Sequence, residues 1–210
     1  MTEIETRRDL VDFARSLFER GFSVGTAGNI SVRLDDGYLI TPTNSCLGRL
    51  DPSRIARLDE NFGHIGGDAP SKEVFMHRAF YRTRSEAGAV VHLHSTMATA
   101  VSCLPDVDAG NPLPPLTPYF VMRVGRTLPV VPYYRPGDAA MEPAIHAAAM
   151  RGRAVLLANH GPVVSGKTLA EAVYAAEELE EAAKLFLLLR AAAPRMLTVE
   201  QVDDLLGTFG

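Results

Sequence analysis

Apolar positions along this chain switch between helical spacing, three or four residues apart, and strand-like alternation, and each switch marks a change of element. Leu10, Ala14 and Leu17 recur at helical spacing, Thr2 and Glu5 form a capping-box pair ahead of them, and Gly21 follows as a stop. A helix is therefore predicted over residues 3–20. Residues 29–34 and 37–41 read as two short strands joined through a hairpin turn at Asp35-Asp36-Gly37, and 55–58 as a third. Together they predict an antiparallel portion of sheet.

Further along, Val74, Phe75, Ala79 and Phe80 give a helix over 71–84, and 89–93 follows as a strand. Ser95 or Thr96 can cap a short helix carrying residues 98–103. Pro105, Pro112, Pro114, Pro115 and Pro118 then forbid regular helix through a long connection. Residues 121–124 and 129–132 read as strands, Asp138 as the cap of a helix that ends at Arg151-Gly152, and 154–158 as another strand. Thr168 with Glu171 opens a long helix to about residue 192, and Thr198 with Gln201 opens a last short one. The expected fold is α/β: a three-layer α/β/α sandwich around a central mixed, largely antiparallel sheet, with residues 1–210 forming a single domain.

Composition narrows the partners. At 210 residues with 47% hydrophobic side chains, the chain can bury a substantial core. A net charge of −4, with Lys and Arg scattered, offers no basic footprint for nucleic acid or an anionic membrane, so neither is expected as a partner. The start at Met1 lacks a basic region followed by an apolar stretch, and no uncharged apolar run reaches the roughly 18 residues of a membrane span. A soluble, cytoplasmic protein is expected. Cys46 and Cys103 are too few for a disulfide framework and are read as free thiols that pack.

The chemistry concentrates in three places. In the strand Val90-Val91-His92-Leu93-His94, alternate side chains share a face, so His92 and His94 project together. His160, in the Asn159-His160-Gly161-Pro162 turn after another apolar run, can supply a third imidazole, and three histidines with an open position are a common catalytic zinc site. Any one of these histidines alone would read as structural. Glu73 stands with Ser71 and Lys72 at the start of a helix, where a carboxylate is favoured by the dipole without any function, and where acid/base work beside a bound anion is equally possible. The loops Gly25-Thr26-Ala27-Gly28-Asn29 and Thr41-Pro42-Thr43-Asn44-Ser45 read either as ordinary turns or as parts of a phosphate cradle. Arg135, after Tyr133 and Tyr134, and Arg123 are candidates for a substrate carboxylate or for plain salt bridges, while His64, His77 and His146 are read as structural.

The ordered motifs T-A-G-N-I-S from Thr26, T-P-T-N-S from Thr41, P-S-K-E from Pro70, H-L-H-S from His92 and A-N-H-G-P from Ala158 resemble the class II aldolase and adducin N-terminal family over nearly the whole chain. The stretches from Ser45 to Gly48, Thr117 to Gly125 and Pro129 to Asp138 look most like that family's 3-oxo-tetronate 4-phosphate decarboxylases. The resemblance implies a zinc enzyme, with manganese or cobalt as substitutes, assembled as a homotetramer with active sites at subunit interfaces. It implies metal ligands at His92, His94 and His160, an acid/base at Glu73, and phosphate-binding positions at Gly28, Asn29, Thr43, Asn44, Ser71 and Lys72. Asn44 stands where relatives have glycine, and asparagine tolerates the positive φ such a turn needs. Tyr119 falls near the tyrosine that a neighbouring aldolase subunit contributes as a proton donor, whereas the tail at Phe209-Gly210 holds no such tyrosine. The implied reaction decarboxylates a phosphorylated sugar acid to dihydroxyacetone phosphate and CO2 through a metal-stabilised enediolate. Aldol cleavage of a ketose phosphate, through the same enediolate, is the second expectation, and an adducin-like interaction module without metal chemistry is the third.

Overall fold

Thr2 starts the first helix, α1 (Glu3–Glu19), with a reciprocal pair of bonds: its hydroxyl accepts from the Glu5 amide, and the Glu5 carboxylate accepts from the Thr2 amide at 2.7 Å. The structure is a computed structural model and describes residues 2–209; Met1 and Gly210, the two chain ends used above, lie outside them. Leu10, Ala14 and Leu17 are fully buried along one stripe of α1, as their spacing predicts. Each of the leucines contributes about 1.5–3 kcal/mol by leaving water.

The next elements are the hairpin strands β1 (Asn29–Leu34) and β2 (Gly37–Ile40), paired from Ser31 opposite Ile40 to Leu34 opposite Gly37. Strands β3 (Ala56–Leu58) and β4 (His64–Gly66) extend the sheet beyond β2. On the other side of β1 come β5 (Ala89–His92), β8 (Gly161–Gly166), β7 (Ala154–Leu157) and β6 (Val130–Val131), giving the order β4-β3-β2-β1-β5-β8-β7-β6. Among these neighbours β6 and β7 run parallel and the others antiparallel, so the sheet is mixed and largely antiparallel.

Alternation along the strands sorts side chains into two cores. Ile30, Val32, Val91, Leu93, Leu156 and Val164 pack with α1, α3 (Thr96–Ser102), α4 (Pro118–Val124) and α6 (Leu169–Leu189). Val90, Val155, Leu157 and Val163 face the opposite way, onto α2 (Val74–Thr83) and α5 (Glu142–Ala149). Helices thus cover both faces, and the last helix, α7 (Val199–Phe209), packs against α4. The Thr198–Gln201 capping pair that opens α7 forms as predicted.

Several elements depart from the sequence reading. Residues 121–124 belong to helix α4, not to a strand: the Thr117 hydroxyl accepts from the Phe120 amide, Pro118 occupies the first turn and Gly125 ends the helix at φ 108°. Those terminus signals outweigh the β-branched run at Val121 and Val124. Helix α2 begins at Val74, which leaves Glu73 at its N-cap rather than inside the first turn. Neither Ser95 nor Thr96 caps α3 with its side chain; the Glu180 carboxylate from α6 accepts from the Met97 and Ala98 amides at 2.7 and 2.8 Å. Asp138 caps a short 3-10 turn, Ala139–Met141, that leads into α5. Strands β4 and β8 are additions, and Cys103 is exposed at the end of α3 instead of packed. No helix among the described residues is long and apolar enough to cross a membrane.

Candidate functional site

His92 ends strand β5, His94 follows two residues on, and His160 sits in the turn between β7 and β8, with β8 pairing β5 and β7 lying beyond it. Strand alternation sends His92 and His94 to one side, and Asn159, at φ 56°, turns the chain so that His160 meets them. The Nε2 atoms of His92 and His160 lie 3.1 and 3.0 Å from His94 Nε2. His92 Nδ1 donates to the Pro162 carbonyl at 2.9 Å, so its Nε2 carries a lone pair. One N–H on His94 Nε2 can satisfy only one of its two neighbours, whereas a cation among the three satisfies all of them. Burial is the leading cause that holds each imidazole neutral: it pushes His92 well below the ordinary range and His94 down to about 4. His160 is also lowered, against the pull of the nearby Glu73 carboxylate. Neutral imidazole is the form that binds a metal, and the donor set therefore fits a divalent ion.

Glu73 reaches this cluster from the N-cap of α2. Its two carboxylate oxygens lie 3.6 Å from His92 Nε2 and from His160 Nε2. The Ser71 hydroxyl accepts from the Glu73 amide at 3.2 Å, and Asn29 Nδ2 donates to Glu73 Oε2 at 2.8 Å. The Asn29 side chain is thereby committed to the carboxylate, and its other end faces His77.

Beside the carboxylate opens a cleft of about 190 Å³ whose walls include Gly28, Asn29, Thr43, Asn44, Ser71 and Lys72, with Glu73 and His94 at the same cleft. Gly28 has φ 80°, and a Cβ there would lie 2.9 Å from the His92 carbonyl oxygen, so this position needs glycine to let the loop close on β5. Asn44 adopts φ 55°, the conformation its side-chain type was expected to tolerate. The cradle thus opens onto the histidine cluster at His94.

A sequence profile describing the Class II Aldolase and Adducin N-terminal domain matches residues 8–187. The chain belongs to that family. Among family members it is 50% identical to the 3-oxo-tetronate 4-phosphate decarboxylase of Haemophilus influenzae over 206 residues, 98% of each chain. It is 36% identical to the L-fuculose phosphate aldolase of Escherichia coli O6:H1, covering 86% of this chain and 81% of that one. The fold matches a crystal structure of YgbL from Klebsiella pneumoniae, described as a candidate aldolase, epimerase or decarboxylase, with TM-score 0.94, 48% identity and coverage of 98% and 99%.

Some sequence candidates in this member of the family lie apart from the cleft. Tyr119 is 59% exposed on α4 and is not among the cleft residues of its own chain. Arg123 stacks over the Tyr174 ring at 5.4 Å, away from the histidines. Arg135 is exposed in the candidate carboxylate loop, and it is the following Pro136 and Gly137 of that loop, not Arg135, that line the cleft. His64 lies on the outer strand β4 and His146 on α5, both exposed. His77, read as structural, is fully buried on α2 and bonded to Asn29, the partner of Glu73. The clue in sequence is its spacing of four residues from Glu73, which puts both on one side of a helical turn.

Proposed function

We propose that this chain is a carbon–carbon lyase that decarboxylates a 3-oxo-tetronate 4-phosphate to dihydroxyacetone phosphate and CO2. The observation that carries this reading is the 50% identity, over 98% of both chains, with a protein of that name. The convergence of three neutral imidazoles, a carboxylate and a glycine-containing cradle supports it. His92, His94 and His160 would hold a divalent ion, zinc by preference with manganese or cobalt as substitutes. When bound, that ion supplies Lewis acidity toward the oxo group, lowering the cost of the electron pair released as CO2 leaves.

The remaining work belongs to the chain's own side chains. Lys72, the Ser71 and Thr43 hydroxyls and the loop around Gly28 and Asn44 would bind the phosphate dianion, aided by the N-terminal dipole of α2. Phosphate held there places the substrate's oxo carbon toward the histidines. The bond between the carboxylate carbon and its neighbour breaks, both electrons stay on the neighbour, and Glu73 manages the proton that this carbon takes up. Asn29 keeps the Glu73 carboxylate oriented meanwhile. The same reading makes residues 1–210 one domain of a cytoplasmic homotetramer with sites at subunit interfaces, and Tyr119, exposed on α4, a residue for a neighbour's cleft.

Incubation with 3-oxo-tetronate 4-phosphate, followed by assays of CO2 and dihydroxyacetone phosphate, tests the reaction. Both products are expected. The 36% identity with an L-fuculose phosphate aldolase favours one second reading, cleavage of a ketose phosphate. Aldehyde release from such a substrate without CO2 from the tetronate would replace the first reading with it. For the metal, His94→Ala is expected to lose bound ion and activity together; full turnover by that metal-free variant would refute the assignment.

A further inference from the structure

An asparagine side chain has a donor end and an acceptor end of nearly the same shape, and only the donor end can hold a carboxylate. Here Asn29 Nδ2 donates to Glu73, so Oδ1 must accept, and the group it faces is His77 Nε2 at 2.5 Å. On the far side of the ring, His77 Nδ1 lies 2.7 Å from Ser31 Oγ, which is 2.8 Å from the Tyr81 hydroxyl. Asn29, Ser31, His77 and Tyr81 are each at most 4% exposed, which leaves no room for water to repair a wrong orientation.

One proton arrangement satisfies the whole row. Tyr81 donates to Ser31, Ser31 donates to Nδ1, the Nε2–H donates to Asn29 Oδ1, and Asn29 Nδ2 donates to Glu73. The opposite tautomer would put the Nε2 lone pair against Asn29 Oδ1. Relief by turning the amide over would then set that oxygen against the Glu73 carboxylate. Burial, which pushes the His77 pKa down to about 3, keeps the ring neutral and so limits it to a single N–H. Asn29 and Ser31 face α2 because they alternate along β1, and α2 carries Glu73 at its N-cap and His77 one turn later.

We propose that His77, as its Nε2–H tautomer braced by Ser31 and Tyr81, is a positioning residue that fixes the Asn29 amide and so aims the Glu73 carboxylate at the histidine cluster. The effect on turnover rests on the role given to Glu73 above; the direction of the hydrogen bonds does not.

Two substitutions and a spectrum test it. His77→Gln keeps an N–H within reach of Asn29, while His77→Leu removes it. The leucine variant is expected to lose roughly 10- to 100-fold in kcat, as a misplaced acid/base does, with bound metal and substrate KM near wild type. The glutamine variant is expected to recover most of that loss, which a merely structural role does not predict. Nitrogen-15 spectra of the metal-free wild-type protein should show a protonated Nε2 and an unprotonated Nδ1 at His77. A protonated Nδ1, or a leucine variant with wild-type kcat, overturns the proposal, and the tautomer alone decides if the leucine variant does not fold. Should the wild-type protein release no CO2, the functional reading fails while the tautomer result stands. Solvent-deuterium exchange into the hydroxymethyl group of dihydroxyacetone phosphate then replaces CO2 release as the measure of Glu73.

Discussion

Strands β1 and β5 are buried on both faces, yet the two faces are built on different rules. Toward α1 and α6 they present Ile30, Val32, Val91 and Leu93. Toward α2 the same strands present Val90 within an apolar core and, beside it, Asn29, Ser31 and His92, which are equally shielded from water. On the first face burial itself stabilises, and apolar side chains of similar volume satisfy it. For the polar groups of the second, burial costs energy unless each donor meets an acceptor, so each depends on the identity and direction of the next. A sheet can therefore set a polar patch that carries chemistry beside an apolar core that carries stability.

The sharpest separation of the two faces comes from Glu73→Gln. Turnover is expected to fall roughly 10²- to 10⁴-fold, the usual effect of losing an acid/base, while thermal stability and metal content stay near wild type. Glutamine preserves the acceptor for Asn29 but not the exchangeable proton. A variant that unfolds instead would show that this face also supports the fold, and unchanged turnover would remove Glu73 from the mechanism.

These two rules also decide what the sequence disclosed. The apolar face was legible in spacing alone: Leu10, Ala14 and Leu17 marked their stripe, and the β1–β2 hairpin announced itself through Asp35-Asp36-Gly37. His92 and His94 were legible for the same reason, since a period of two places them side by side, and His160 stood out in its turn. Asn29, Ser31 and His77 were not readable as a unit. Their bonds join residues 46 and 48 positions apart, and only the packing of α2 on β1 brings them together. The Glu180 cap on α3 escaped notice likewise, because it reaches across 83 positions from α6. Helix α4 failed differently: a valine-containing run suggested a strand, although Thr117, Pro118 and Gly125 already spelled a helix start and stop.

Stability gives the next contrast. Ile30→Ala on the apolar face is expected to cost about 2–5 kcal/mol through lost transfer energy and the cavity left behind. Ser31→Ala, one residue along on the polar face, is expected to cost about 1–3 kcal/mol because it orphans His77 Nδ1 and the Tyr81 hydroxyl. The two differ in their remedy: Ile30→Val should restore most of the first loss, whereas Ser31→Val should restore none of the second. Urea unfolding of the four proteins checks this, and recovery by valine at both positions would erase the distinction between the faces.

The smallest expected effect is a difference between two pH slopes in the metal-free protein. His77 and His94 have folded-state pKa values of about 3 and about 4, against 6.5 for a free imidazole. Both are lowered, so between those limits the unfolded chain binds protons that the folded chain refuses, and stability falls as pH drops. The stabilisation is fully present above pH 6.5 and is lost as pH falls through that window toward about 3. Ile30→Val leaves every imidazole in place and should run parallel to wild type. His77→Gln removes one titrating group from the polar face, so its urea midpoint should decline less steeply between about pH 7 and about pH 5. Identical slopes for His77→Gln and wild type would mean that His77 takes up its proton in the folded state as readily as in the unfolded one. That outcome is incompatible with a ring held neutral between Ser31 and Asn29.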